Sequence, residues 1–375
     1  LAGHAHQPRK GVRLTAACDV NQRALKDFEE KYGPEVFTTT DYRKLVERDD
    51  IDAVFVTSPD FLHEEHTLAA LKTGKSVYVE KPLAITIEGC DRMLKAAFKN
   101  KAKLYVGHNM RHMTFTSKMK GLIDKGAIGN VKAAWCRHFV CYGGDAYFKD
   151  WHAERSKDTS LLLQKGAHDI DILHWLCGSY SRLVTAVGGL TVYDQIKDRH
   201  PKSERGDASW KLENWPPLKQ KGLNPVVDVE DVSMMLMTLS NGVFASYQQC
   251  HYTPDGWRNY TIIGDEGRIE NFGDSPGHSV VRLWNKKNYY QPYGDEQFFI
   301  PLSTGGHGGA DPKIVNEFIQ YVRGRTGIKT SAVAARYSVA AGCSAAYSLR
   351  NGSVPVQIPG LSKNVADYFN RDVVG

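Results

Sequence analysis

Two short stretches hold the residues best suited to chemistry. Val77-Tyr78-Val79-Glu80-Lys81-Pro82 reads as a buried strand stopped by a proline, which leaves Lys81 projecting at the strand's end. A lysine placed there stabilises a developing alkoxide and tunes a neighbouring acid or base; the plainer alternative is a surface lysine after a strand. Lys165-Gly166-Ala167-His168-Asp169-Ile170-Asp171 sets His168 among carboxylates at the start of a helix. That histidine is either a general base or a buried helix residue bonded to the backbone. A lysine at the end of a parallel strand and a histidine from a second domain can meet over one ligand. Such a meeting suits oxidation of an alcohol carbon beside a nicotinamide ring.

The elements that would position them follow from periodicity. Val12 to Cys18, Ile51 to Thr57, Ser76 to Glu80 and Lys103 to Gly107 are short apolar runs. They alternate with helical stretches over Asn21 to Tyr32, residues up to Leu71, and Thr86 to Lys99. Alternation of this kind predicts a parallel sheet of βαβ units. After Asn109 the pattern changes. A helix is expected over Met113 to Lys125. Strands are expected over Val131 to Val140, Leu183 to Tyr193, Val232 to Leu239, Val243 to Gln249, Tyr260 to Gly264 and Arg268 to Asn271. Asn241-Gly242 signals a type I′ hairpin, and Gly264 to Gly267 a second tight turn. Late helices over Pro312 to Gly324 and Ala332 to Leu349 would pack on this sheet or on the first domain. The fold class is therefore α/β, a Rossmann-type dinucleotide-binding domain over residues 1–108. An α+β substrate-binding and oligomerisation domain with a large open, mainly antiparallel sheet follows over 109–375. Residues 194 to 228 form a long polar loop holding Trp210 and Trp215. No G-x-G-x-x-G turn is present; the chain opens at Leu1 inside what reads as the first helix, so the first strand and its glycine turn are expected upstream.

Asp19 ends the second expected strand of such a domain, where a carboxylate accepts the ribose hydroxyls of NAD and repels a 2′-phosphate; the alternative is a helix N-cap. Thr57, Ser58 and Pro59 follow the next strand at its C-terminal end, the cofactor side of an open α/β sheet. His63 either packs or lines the same cleft, and Glu80 precedes Lys81. Trp151, His152 and Arg155, like His108, Asn109 and Arg111, are suited to stacking on a sugar ring or bonding hydroxyls; packing plus a salt bridge is the alternative. Gly305 to Gly309, with His307 inside it and Asp311 after it, is a glycine-rich loop before a helix, able to cradle a phosphate.

Composition narrows the classes. The 375 residues are 42% hydrophobic and 24% charged, enough for two domains without disulfide staples. A net charge of +6 is spread along the chain, with no Lys/Arg run interleaved with aromatics, so no nucleic-acid partner is expected. No apolar run reaches the ~20 residues needed to span a bilayer, so no membrane partner is expected either. Seven cysteines without a C-x-x-C pair fit reduced thiols in a cytoplasmic protein and no metal site.

Taken together, Asp19, the Thr-Ser-Pro turn, His63, Val79-Glu80-Lys81-Pro82-Leu83 and the Lys165 to Asp171 stretch resemble the glucose–fructose oxidoreductase, inositol dehydrogenase and rhizopine catabolism (Gfo/Idh/MocA) family. The resemblance covers most of the chain. It implies NAD(P)-dependent chemistry, narrowed to an NAD cofactor by Asp19, on a small-molecule carbohydrate or polyol substrate, with catalytic roles for Lys81 and His168; the open sheet face suggests a homodimer or homotetramer. It also implies that the loop around His307 closes over the substrate. The sequence departs from the family at Gln164, where many members carry an aspartate. Glutamine exchanges no proton near neutral pH, so His168 would act as base alone, with Lys81 or Lys165 relaying. Asp171 would orient or cap. Two other activities stay open: glycoside cleavage through transient oxidation, and cofactor binding by a non-catalytic sensor.

Overall fold

The computed structural model describes residues 1–374 except 205, 207, 209–211 and 213; Trp210 lies outside the described residues. The first half is built on five short parallel strands. β1 (Ala16–Cys18) pairs with β2 (Phe37–Thr39), and β3 (Ala53–Val56), β4 (Ser76–Val79) and β5 (Leu104–Val106) form a second ladder. Their connecting helices start where capping side chains sit. Asn21, Asp41 and Thr86 each accept a backbone N–H from the first turn of the helix that follows. β4 and β5 are buried on both faces, as expected of strands flanked by helices.

The second half carries a nine-stranded sheet. Its strands are β6 (Val131–Phe139), β7 (Ser181–Gly189), β8 (Val232–Leu239), β9 (Phe244–Cys250), β10 (Trp257–Gly264), β11 (Arg268–Phe272), β12 (Val280–Trp284), β13 (Glu296–Phe299) and β14 (Val356–Gln357). They lie in the order β13-β12-β11-β10-β6-β9-β8-β7-β14. All neighbours are antiparallel except the central pair β6 and β9. Alternation sorts β8, where Met235 and Met237 are buried while Met234 and Leu236 are exposed. The β8–β9 hairpin forms, but its turn is not type I′. Only Gly242 takes positive φ (+86°), and Leu239 donates its N–H to Val243 across a longer loop. The Gly264 to Gly267 turn closes as expected.

Two helices cover the sheet's inner face and lock it to the first half. Gly166–Cys177 is buried almost throughout between the sheet and the helix Ala332–Arg350. Contact there is close: a Cβ on Gly342 would lie 2.9 Å from the carbonyl of Leu162. The helical segment ending at Val322 crosses back to the first half, where Phe318 packs against Phe55, Tyr78 and Tyr105. No helix among the described residues is long and apolar enough to cross a membrane.

Candidate active site

Lys81 follows β4 and is only partly buried, where the first half meets the second. Its Nζ donates to the main-chain carbonyl of Gln164 at 3.0 Å, which ties the first half to the chain four residues before His168. Glu80 fixes the turn behind it, accepting from the Tyr78 hydroxyl at 3.0 Å and from the Lys81 N–H at 3.2 Å. The arrangement needs Gly107 on β5's exit: a Cβ there would come within 2.7 Å of both the Glu80 carboxylate and the Tyr78 hydroxyl. Burial lowers the Lys81 pKa, against the pull of Asp60 and Glu80, and raises that of Glu80.

His168 stands in the first turn of the helix Gly166–Cys177, its Nδ1 buried without a hydrogen-bond partner. Burial, then the nearby Lys81 and His108, push its pKa well down, so the ring is neutral at ordinary pH. The helix start is held by Asp169. That carboxylate accepts from Tyr247 (2.9 Å), from Arg258 Nε (2.9 Å) and from Tyr260, with His138 Nδ1 3.0 Å away. Burial opposes its ionisation, but Arg258 and His138 outweigh burial and keep it an anion.

Around this pair stand several expected residues. His108 meets His168 edge-to-face at 6.0 Å between ring centres, and neither of its ring nitrogens has a hydrogen-bond partner. Burial lowers its pKa to about 4. Lys165 lies 5.4 Å from the ring centres of both Tyr142 and Tyr147. Burial and the cations Arg258 and Lys81 depress its pKa strongly. Trp151 stacks on His152 at 3.7 Å and meets Phe61 edge-on, while Asp150 holds the His152 ring. Asn109 donates to Asp311 at 3.1 Å, and Asp311 also pairs with the exposed His307, 2.9 Å away. Gln164 is buried, and its Oε1 has no hydrogen-bond partner.

Four expected site residues are engaged elsewhere. Arg111 and Asp171 form a buried two-pronged ion pair (2.8 and 2.7 Å), with Arg111 also donating to the carbonyl of Lys329. Both charges are consumed there, leaving neither for substrate. Arg155 bonds Glu230, which also takes both prongs of Arg350, and its own N–H is held by Asp228. His63 is fully buried, its ring nitrogens 2.7 and 2.9 Å from the carbonyls of Pro82 and Ser58. It staples the Ser58 and Pro82 turns together from behind and presents no ring to the cleft.

On the nucleotide side, Asp19 stands exposed just past β1 and accepts from the N–H of Asn21 at 2.8 Å. Asn21, not Asp19, caps the next helix. Thr57, Ser58 and Pro59 follow β3 at the same C-terminal edge. An exposed carboxylate after β1 and a turn after β3 fit the donor–acceptor needs of a ribose and its linkage. Asp60, Asp158, Tyr142, Tyr147 and Arg258 were not anticipated. Asp60 adjoins the Thr-Ser-Pro turn and could have been included on position; Asp158 carries no local signal. Among the described residues, no group of three or more His, Cys, Asp or Glu side chains is arranged for a metal.

Residues 1–108 match the oxidoreductase family with an NAD-binding Rossmann fold, and residues 120–358 match that family's C-terminal α/β domain. The chain is 24% identical over 363 residues to an inositol 2-dehydrogenase/D-chiro-inositol 3-dehydrogenase of Shouchella clausii, covering 93% of this chain and 92% of that one. A protein of the same description from Halalkalibacterium halodurans is 36% identical over 180 residues, 46% of this chain and 49% of that one. A levoglucosan dehydrogenase solved with NADH and levoglucosan shares the fold at a TM-score of 0.73, 20% identity and coverage of 93% and 90%. With both of its domains matched in order, the chain belongs to the Gfo/Idh/MocA oxidoreductase family and carries its NAD-binding Rossmann fold.

Proposed function

We propose that this protein oxidises a secondary hydroxyl of a sugar, sugar derivative or polyol with NAD. The supporting observation is the junction of Lys81 with the His168 segment: a cation from one half is bonded to the chain four residues before a neutral imidazole of the other. NAD, when bound, supplies the hydride acceptor. Asp19, Thr57, Ser58 and Pro59 would hold its adenosine side. A neutral imidazole carries one basic nitrogen, so His168 accepts the hydroxyl proton. The Lys81 ammonium stabilises the oxygen as its charge grows and shares the proton. Lys165, His108, Asn109, Trp151 and His152 form the substrate wall, and the His307 loop lies at its rim. A positioned base of this kind contributes roughly 10²–10⁴-fold in rate.

The relatives' names direct the first assay: NAD⁺ with inositols, levoglucosan and free aldoses, followed by NADH absorbance. Substrate-dependent NADH is the expected result. Consumption of a glycoside without net NADH would instead indicate cleavage through transient oxidation, and binding of NADH without turnover of any compound would defeat the dehydrogenase reading.

The open face of the nine-stranded sheet presents Trp135, Val187, Met234, Leu236 and Phe244 to solvent. Contiguous apolar patches of this kind mark association surfaces. We assign this face to contact between copies of the chain.

A further inference from the structure

Behind Lys81 lies a feature that the hydride-transfer scheme does not use. Asp60 opens the short helical turn Asp60–Leu62 after β3, and Asp158 closes the turn Arg155–Asp158; the two turns pack together. Both carboxyl groups are buried, at 5% and 0% exposure. Neither oxygen of Asp158 has a hydrogen-bond partner, and Oδ2 of Asp60 has none. Gln164 Oε1 is likewise buried without a hydrogen-bond partner. Two buried carboxylates carried on turns packed against each other do not both stay ionised out of water. An unpartnered buried carboxylate oxygen loses its hydration without compensation; a proton shared between the two groups removes that cost.

We propose that Asp60 and Asp158 share one proton as an acid–carboxylate pair, and that this pair exchanges protons with Lys81 in place of the aspartate that Gln164 replaces. The inference rests on the dehydrogenase reading above. Charge supports it: a singly ionised pair balances the Lys81 ammonium. The other charged groups facing the three residues are Glu80 and Asp150, which favour holding the proton, and Arg350 and Arg258, which oppose it. Burial first, then Asp60, raises the Asp158 pKa well up, and burial raises that of Asp60 to about 7 despite Lys81. During oxidation Lys81 Nζ gives one N–H proton to the pair, and the amine so freed takes up the proton that His168 received from the hydroxyl. The nitrogen ends as an ammonium, the pair becomes a diacid, His168 is neutral again, and the extra proton later leaves to solvent. No electron moves in this step.

Infrared difference titration of the full chain, with and without NADH, tests the pair directly. A protonated carboxyl has a carbonyl stretch distinct from that of a carboxylate. The wild type should show that band titrating around neutral pH. Asp60→Asn and Asp158→Asn should each remove it, whereas Glu80→Gln should keep it. A wild type without the band, or a band surviving in both Asn variants, would overturn the pair even if those variants folded poorly. For a substrate that yields NADH, Asp158→Asn should lower kcat by roughly 10²-fold and strip one ionisation from its pH profile. A uniform loss with an unchanged profile would refute the relay. Failure of every substrate would refute the dehydrogenase reading while leaving the infrared result to judge the pair.

Discussion

Removing Asp171 should unbalance the protein at a point well inside its core. Arg111 and Asp171 are 5% and 1% exposed and joined by two hydrogen bonds. Asp171→Ala leaves the guanidinium with only the Lys329 carbonyl as a strong acceptor. Breaking one side of a buried pair costs about 3–5 kcal/mol. Unfolding entropy near 2.1 cal/mol/K per residue gives about 0.8 kcal/mol/K for 375 residues. If the chain melts as one unit, the Tm should fall by about 4–6 °C in scanning calorimetry. Replacing both residues, as Arg111→Met with Asp171→Leu, should recover most of the loss, because no charge then stays buried alone. The pH dependence has a defined sign. Burial opposes ionisation of Asp171, but Arg111 outweighs it and holds the carboxyl below its ordinary range. The pair therefore stabilises fully above the unfolded carboxyl pKa, and that contribution is lost as pH falls through the folded value. A Tm drop of less than about 1 °C in Asp171→Ala, with a large rise in KM for substrate, would show that Asp171 serves the ligand and not the core.

Asp19→Ser should narrow the preference for NAD⁺ over NADP⁺, because the exposed carboxylate no longer repels a 2′-phosphate; tighter NADP(H) than NAD(H) binding by the wild type in titration calorimetry would contradict the placement. Lys81→Ala and His168→Ala should each lower kcat by about 10²–10⁴-fold while leaving NADH affinity nearly intact, since neither residue is assigned to the adenosine side; a full rate in His168→Ala would sink the general-base assignment. Leu236→Lys combined with Phe244→Asp should reduce the mass measured by light scattering if the open sheet face joins copies; an unchanged mass would place the interface elsewhere.

The main elements were legible because their signals are local. The apolar runs at β3, β4 and β5 and the alternation in β8 need only neighbours in sequence to be read. β12, β13 and β14 were missed; they are short, the last two residues long, and owe their pairing to an existing sheet edge. Lys81 and His168 could be singled out because a strand-ending proline and a helix start flank them. The fates of Arg111, Asp171 and Arg155 could not. Each carries a charge whose partner comes 60 or more residues away, and nothing local says whether that charge faces a ligand or a counter-ion. Asp158 shows the same limit, since its meaning depends on a turn that follows β3.

The return of the chain to its first half has a consequence for the order of synthesis. Tyr78 and Tyr105, fully buried in the finished protein, lie under Phe318, some 240 residues after Tyr78. While the chain emerges from the ribosome, β4 and β5 exist long before the helix that shields their aromatic face. A fragment ending at residue 108 would therefore show its tyrosines to solvent and tend to aggregate, and nascent chains would depend on chaperones until residue 322 has been made.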